Sequence, residues 1–478
     1  MKIPALTICL LSITLSYCQT KDSGYNIEFD ISGLKDTTLL LASYYGESKY
    51  VKDTAKIDDK GRIVFHKDKT LDEGLYFLVK GKGWLFDFVI GKDQNFKIKV
   101  NSENYYKDAE VTGDIDNKLF FENIAFNNKQ HEKADPYINI LKDSTLNDEA
   151  KKDAAKKAYL DIENEVKEYQ QNLIAQNPEL VTSRILKSLI EVEIPPAPKK
   201  EDGKIDSTFM FTYYRDHFFD NFDLSDDALL RTPTPHYMEK LNTYLDKLFL
   251  QSPDTIIKAI EKLVLMAKKN QETYKYLVWT CLGKYERPKI MGLEEVYVYL
   301  YDKYYASKEM DFWISDKLKS NLKDYADKIR GNLIGKAAAN LSMQDSSFQR
   351  RSLYDIKKKY TLVYFYDPDC GHCRTETPKL VEFYNKNKVK FNLEVFAVNI
   401  DSSMQKMKDY IKEMKMKFII VNGPRSYLGQ YNKSYFVDST PACYLLDEKK
   451  KIIARLIPIE SLEDFIEGYE EFNNKKKI

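Results

Sequence analysis

The sequence predicts three folded regions: an antiparallel β-sandwich at residues 24–114, an α-helical domain at residues 115–330 and a C-terminal α/β domain at residues 335–478. Alternating apolar residues between turn signals predict the strands of the first region. Apolar residues at helical spacing predict the helices of the second. In the third, apolar strands alternate with amphipathic helices, which is typical of an α/β sheet.

The β-sandwich prediction begins with strict alternation near the start of the chain. Every second residue from Tyr25 to Ile31 is apolar, as in a strand with one buried face. Asp58-Asp59-Lys60-Gly61 is a turn signal. Five further short segments have strand character: 38–45, 62–66, 75–79, 85–90 and 96–100. Several short strands at this spacing favour a small antiparallel sandwich.

Residues 115–330 change to a helical period. Five apolar residues fall on one face of a predicted helix: Ala158, Ile162, Val166, Tyr169 and Leu173. Ser252-Pro253 begins another helix, with serine as the N-cap and proline at the first helical position. An aromatic run at residues 209–219 indicates either core packing or a partner-binding patch.

The C-terminal domain contains the sequence CGHC at residues 370–373, whose two thiols can close and reopen a small disulfide ring. Residues 361–366 predict a buried strand, and residues 374–383 an amphipathic helix. Cys370 therefore lies where a strand gives way to a helix N-terminus, which favours a thiolate. Thr440-Pro441 precedes another apolar strand. This order is the layout of a thioredoxin fold.

Residues 335–478 resemble the TlpA/ResA-type branch of thioredoxin-like proteins, which are envelope thiol–disulfide oxidoreductases. Members carry extra secondary structure between the active-site helix and the cis-proline, and residues 391–421 supply strand, helix and strand there. Residues 335–341 match the family's entry stretch, although a proline often found there is absent. The segments ahead resemble uncharacterised β and helical domains of such multidomain proteins. The resemblance implies protein thiol or disulfide substrates, a redox partner protein and no cofactor.

The two cysteines of the motif have different predicted roles. Cys370 is the attacking thiolate, and Cys373 is the resolving thiol about one helical turn further in. A protonated His372 imidazole would lower the pKa of Cys370 and make the pair more oxidising, and a spacer role is the alternative. A zinc site would need two more ligands, and the sequence has no second CxxC and no HxxxH. No metal is therefore predicted.

The resemblance implies roles for Glu376, Thr440 and Pro441, and it marks Tyr364 as a departure from thioredoxin. A glutamate at the position of Glu376 assists proton transfer in ResA-like proteins, and a solvated helix residue is the alternative. Tyr364 stands where thioredoxin has a buried aspartate. Pro441 is predicted to be cis, and the preceding backbone at Thr440 can then pair with an extended substrate. A cis peptide is plausible only before proline.

The N-terminus predicts export. Residues 1–18 form a signal peptide, because one lysine precedes an apolar stretch that is too short to span a membrane. Leu15-Ser16-Tyr17-Cys18 resembles a bacterial lipobox and makes Cys18 a lipidation candidate, although Tyr17 is larger than is usual there. Ordinary cleavage nearby, or a retained segment, are the alternatives. Export predicts a periplasm-facing location in the oxidising cell envelope, with membrane anchoring if Cys18 is lipidated.

The composition excludes several classes of partner and structure. The 74 basic and 73 acidic side chains give a net charge of +1, which argues against nucleic acid as a partner. Mean hydropathy is -0.52, and no internal apolar run reaches the length of a transmembrane helix. The six cysteines are too few for a disulfide framework. Cys281 lies in an apolar stretch and is predicted to pack in the core. Cys443 is predicted to be either a core residue or a third redox thiol.

These observations predict an envelope thiol–disulfide oxidoreductase. One alternative is a non-catalytic envelope scaffold with a thioredoxin-like recognition domain, against which the intact Cys370, Cys373 and Pro441 argue. The other is a peroxiredoxin-like peroxidase. That chemistry uses a Pro-x-x-x-Thr-x-x-Cys arrangement, and Pro368 is followed by no such threonine.

Overall fold

The computed structural model describes residues 24–199 and 201–475, so the predicted signal peptide and Cys18 lie outside the described residues. The chain divides into two compact units between Tyr244 and Leu245. This division falls within the stretch predicted as one helical domain, and the predicted domain limits stay a prediction. Within the described ranges, none of the helices has both the length and the apolar character needed to cross a membrane.

The first unit begins with strands in two four-stranded sheets. The strands are β1 (Tyr25–Ser32), β2 (Thr38–Tyr45), β3 (Ser48–Lys56), β4 (Arg62–Lys67), β5 (Gly74–Lys80), β6 (Gly83–Ile90), β7 (Asn95–Asn101) and β8 (Glu110–Thr112). Their orders are β4-β1-β7-β8 and β3-β2-β5-β6. Inward-facing residues of both sheets, such as Phe29 and Phe88, share one core, which confirms the sandwich.

One strand pair differs from the predicted antiparallel arrangement. β1 and β7 run parallel, with Ile27 opposite Phe96 and Phe29 opposite Ile98. Parallel neighbours need a long connection, and the chain between these strands forms most of both sheets before it returns. The alternation of single strands carries no information about this pairing.

The helices of the first unit follow the sandwich. They are α1 (Ile115–Lys142), α2 (Glu149–Gln176), α3 (Val181–Ser188), α4 (Phe209–His217) and α5 (His236–Lys247), which contains the division between the units. The carboxylate of Asp114 caps α1, as is common at helix N-termini. The aromatic run divides by exposure: Phe218 is buried, whereas Met210 and Phe211 are exposed by 58% and 50%.

Four helices open the second unit: α6 (Pro253–Ala267), α7 (Gln271–Glu286), α8 (Glu294–Leu300) and α9 (Asp316–Arg330). Ser252 and Pro253 begin α6 as predicted. Cys281 is 1% exposed within α7, which confirms the core-packing prediction for this residue.

A seven-stranded sheet with three helices completes the second unit. Its elements are β9 (Ser342–Asp345), β10 (Arg350–Ser352), β11 (Tyr360–Tyr366), α10 (Gly371–Asn387), β12 (Leu393–Asn399), α11 (Met404–Glu413), β13 (Ile419–Ser426), β14 (Ala442–Leu446), β15 (Ile452–Arg455) and α12 (Leu462–Lys475). The strand order is β10-β9-β13-β12-β11-β14-β15. β11 lies inside the sheet, between β12 and β14, and is buried throughout, so the predicted thioredoxin-like α/β fold is confirmed.

The predicted entry stretch runs beside the outer strand β15. The backbone N–H of Gly335 donates to Ile452 O at 2.8 Å, and Ile452 N–H donates to Lys336 O at 2.8 Å. Ala338 N–H donates to Lys450 O, also at 2.8 Å. The entry stretch therefore pairs with the start of β15 and the two residues before it.

Candidate active site

Cys370 occupies the junction between β11 and α10. It is the N-cap of α10, with extended backbone angles, and its carbonyl accepts the first helical bond from Arg374 N–H at 3.1 Å. The helix begins at Gly371, three residues before the amphipathic pattern indicated. The half-exposed Cys370 sulfur therefore lies at the positive end of the helix dipole, where a thiolate is favoured.

Cys373 lies in the first turn of α10 and is 0% exposed. Its sulfur accepts a hydrogen bond from the backbone N–H of Asp367 at 3.5 Å. Both cysteines are free thiols in the structure. The helix therefore presents one sulfur at the surface and keeps the other inside.

The Thr440–Pro441 loop contacts the exposed thiol. The peptide bond between these residues is cis, as predicted. The Cys370 thiol donates a hydrogen bond to the carbonyl oxygen of Thr440, with a sulfur–oxygen distance of 3.3 Å. The loop and the motif, seventy residues apart in sequence, thus form one site.

The two thiols have opposite pKa shifts. Desolvation acts to raise the pKa of Cys370, but hydrogen bonds from the Cys373 backbone and the Thr440 side chain outweigh it, and the net direction is downward. Burial raises the pKa of Cys373 to about 11. The Thr440 side chain acts to lower both pKa values. Cys370 is therefore the easier thiol to ionise.

A chain of hydroxyl groups lies in the core near Cys373. The Tyr364 hydroxyl and Thr377 Oγ1 are 2.9 Å apart, and Thr377 Oγ1 is 2.8 Å from the Tyr410 hydroxyl. Desolvation raises the pKa of Tyr364 and brings that of Tyr410 to about 12. This part of the core is therefore uncharged at neutral pH. Sequence reasoning noted Tyr364 but missed Thr377 and Tyr410, since Tyr410 comes from a different helix.

Cys443 lies next to this hydroxyl chain. It pairs with Tyr364 between β14 and β11 and is buried. Burial raises its pKa to about 12, and the charges of Glu376 and Cys373 act in the same direction. A buried, protonated thiol favours the core-packing interpretation over a third redox thiol.

Glu376 and His372 differ in how the structure surrounds them. The half-buried Glu376 carboxylate accepts a hydrogen bond from Lys379 Nζ at 2.6 Å. His372 is exposed, and its backbone N–H contributes to lowering the pKa of Cys370. The predicted proton-acceptor role of Glu376 and the predicted effect of the His372 imidazole stay predictions.

Three carboxylates beside the motif form a cluster that sequence reasoning missed. The side chains of Asp367, Asp369 and Asp401 lie within 4.8 Å of one another. Lys406 Nζ is 2.5 Å from Asp369 and 3.1 Å from Asp401. The lysine ammonium therefore already balances part of this charge. Asp367 and Asp369 are visible next to the motif in sequence, but Asp401 and Lys406 join them only through the fold.

Three family models match the chain. The AhpC/TSA family matches residues 334–455, and two domains of unknown function match residues 25–120 (DUF4369) and 150–327 (DUF5106). The thioredoxin-like protein YneN of Bacillus subtilis is 30% identical over 128 residues, which are 26% of this chain and 72% of that protein. Tryparedoxin of Trypanosoma brucei brucei is 32% identical over 90 residues, 19% of this chain and 62% of that protein.

Solved structures also match. A domain of a possible thiol–disulfide isomerase from Cytophaga hutchinsonii is 36% identical, with a TM-score of 0.28, and the match covers 30% of this chain and 97% of that one. A thioredoxin-like protein from Bacteroides caccae is 16% identical, with a TM-score of 0.43, over 57% of this chain and 98% of that one.

Proposed function

Because this chain belongs to the thioredoxin-like thiol–disulfide oxidoreductase family, we propose that it exchanges disulfides with protein substrates through Cys370 and Cys373. The observation that carries the proposal is the inequality of the two thiols. Cys370 is half-exposed with a lowered pKa, and Cys373 is buried with a pKa raised to about 11 by burial. A reactive outer thiol and a protected inner thiol are what a two-step exchange requires.

In the reducing direction, the Cys370 thiolate attacks one sulfur of the substrate disulfide, and the substrate S–S bond breaks as a mixed disulfide forms. The released substrate thiolate takes up a proton. Cys373 then loses its proton and attacks the Cys370 sulfur, which releases the second substrate thiol and forms the Cys370–Cys373 disulfide. Two electrons pass from the dithiol to the substrate, and the reverse sequence oxidises a substrate dithiol.

Neighbouring residues have supporting roles in this proposal. The Thr440 hydroxyl stabilises the thiolate forms, and the backbone before Pro441 pairs with an extended substrate. Glu376 accepts the proton that Cys373 loses, and the His372 imidazole stabilises the Cys370 thiolate. Thiol–disulfide exchange itself needs no cofactor.

We also propose that the protein works in the cell envelope. The support is the apolar segment at residues 1–18 and the lipobox-like sequence that ends at Cys18. An oxidising compartment supplies protein disulfides as substrates. A redox partner protein there would restore the Cys370–Cys373 pair to its starting state after each cycle.

The test measures whether the full chain catalyses two reactions. One is the reduction of insulin by dithiothreitol, and the other is the oxidative refolding of a reduced disulfide protein. Cys370→Ser should abolish both activities, and Cys373→Ser should stop turnover and accumulate a mixed disulfide at Cys370. Cys281→Ala is the matched control, because Cys281 is buried in α7. Inactivity of the wild-type dithiol in both assays would favour the scaffold. Cys370-dependent consumption of hydrogen peroxide without exchange activity would favour the peroxidase.

A further inference from the structure

Residues 434–438, the segment that leads to the Thr440–Pro441 loop, contact residues in or next to α7 and α9 of the same unit. Asn332, which follows α9, donates from Nδ2 to the carbonyl of Ser434 at 3.2 Å. Asn332 is itself buried, and the same amide group donates to Lys328 O at 2.7 Å. The start of the segment is therefore tied to the end of α9.

Two more contacts follow along the segment. The ring of Phe436 packs edge-to-face on Tyr325 of α9, with ring centres 5.3 Å apart. Asp438 pairs with Arg287, the residue after α7, at 2.5 Å. The residues at 434, 436 and 438 each meet the helices, so the contact repeats at every second position of the segment.

Phe436 also contacts two residues of the sheet, Tyr444 of β14 and Arg455 of β15. The Tyr444 hydroxyl donates to Phe436 O at 2.6 Å, and the buried Arg455 guanidinium lies 5.5 Å from the centre of the Phe436 ring. Arg455 is also 3.6 Å from Glu294 of α8. The segment is therefore held between the sheet and the helices.

The position of this segment matters for the thiols because Thr440 is two residues beyond Asp438. The Thr440 carbonyl accepts from the Cys370 thiol at 3.3 Å, a bond that only the protonated thiol can make, whereas the Thr440 side chain acts to lower the pKa of both thiols. Hydrogen bonds weaken steeply with distance and misalignment. A small displacement of the segment would therefore change the stability of the Cys370 thiolate.

We propose that α7, α8 and α9 hold the Thr440–Pro441 loop against Cys370. Arg287, Tyr325 and Asn332 are the positioning residues. The inference rests on the proposed exchange function, to which it adds that residues outside the thioredoxin-like sheet set the reactivity of the thiol pair. The Tyr325 and Asn332 contacts dominate, because the Arg287–Asp438 pair is exposed and exposed pairs contribute little.

The test compares three full-length variants. Tyr325→Leu removes the ring that packs on Phe436, whereas Tyr325→Phe keeps it. Tyr274→Leu is the matched control, because Tyr274 is a buried tyrosine of α7 that packs on Tyr304. Tyr325→Leu should slow alkylation of Cys370 at pH 7 at least threefold and shift the reduction potential of the pair to a more negative value. Tyr325→Phe and Tyr274→Leu should retain the wild-type alkylation rate of Cys370 and the wild-type reduction potential of the pair.

An unchanged alkylation rate and potential in folded Tyr325→Leu overturn the proposal, and so does an equal change in Tyr274→Leu. If Tyr325→Leu does not fold, Asn332→Ser replaces it with the same expected direction and the same refuting result. Alkylation of Cys370 needs no turnover. A wild-type protein without exchange activity would therefore contradict the proposed function, and the alkylation comparison would still decide the positioning role.

Discussion

Alkylation of the reduced protein should discriminate strongly between the two active-site thiols, because only a thiolate reacts. Burial raises the pKa of Cys373 to about 11, so about one molecule in 10⁴ is ionised there at pH 7. The pKa of Cys370 is lowered from an ordinary 9.0, so at least about one molecule in 100 is ionised at that thiol. The thiolate ratio therefore favours Cys370 by at least about 100-fold.

Intrinsic nucleophilicity reduces this advantage. A thiolate whose pKa is two units higher reacts about tenfold faster, because nucleophilicity rises with basicity with a slope of about 0.4–0.5. The expected rate ratio is then at least about tenfold at pH 7, and the burial of Cys373 increases it further. Labelling of Cys373 should accelerate about tenfold for each unit of pH until about pH 11.

The assay is a short pulse of iodoacetamide, acid quenching and mass spectrometry of the cysteine peptides. Cys281 and Cys443 are internal controls, because burial raises the pKa of each to about 12 and both should label only after unfolding. Labelling of Cys373 within twofold of Cys370, or ahead of it, would refute the assignment of attacking and resolving thiols.

Three other changes test single residues. Thr440→Val removes the hydroxyl that acts to lower the pKa of Cys370, so alkylation of Cys370 at pH 7 should fall about three- to tenfold; an unchanged rate contradicts the role of that hydroxyl. His372→Pro should make the pair more reducing by tens of millivolts, roughly 1–4 kcal/mol, as measured against a glutathione buffer; an unchanged potential leaves His372 as a spacer. Cys18→Ser should release the protein from the membrane fraction, because acyl chains contribute about 0.8 kcal/mol per CH₂; mass spectrometry of an unmodified mature N-terminus would exclude the anchor.

The strands that sequence reasoning found are those with a buried face, and the two it missed in the sandwich, β3 and β8, contain no fully buried residue. β3 has the sequence SKYVKDTAK and is exposed along much of its length. It becomes a strand because its backbone pairs with β2 from Tyr45 and Ser48 onward. Apolar alternation detects burial, and an exposed edge strand is stabilised by backbone pairing that the pattern does not report.

In the site, too, features marked by local sequence patterns were predictable, and features formed by tertiary contacts were not. The CGHC motif, the strand before it and the cis Thr440–Pro441 bond were predictable, because local patterns and a family resemblance mark them. The Tyr364–Thr377–Tyr410 hydroxyl chain was not, because its members come from β11, α10 and α11 and meet only when these elements pack. The contacts of Tyr325 and Asn332 with the loop segment are likewise tertiary.

The strip of chain beside β15 decides where the thioredoxin-like domain can be cut out as a separate fragment. Residues 335–338 pair with residues 450–452, at the start of β15, so a fragment that starts after Ala338 would leave the N–H and C=O groups of Ile452 and the carbonyl of Lys450 unpaired at the edge of the sheet. Such an edge is a template for self-association between copies. Fragments for solution work should therefore start before Gly335, so that the covering strip stays attached to the sheet that it protects.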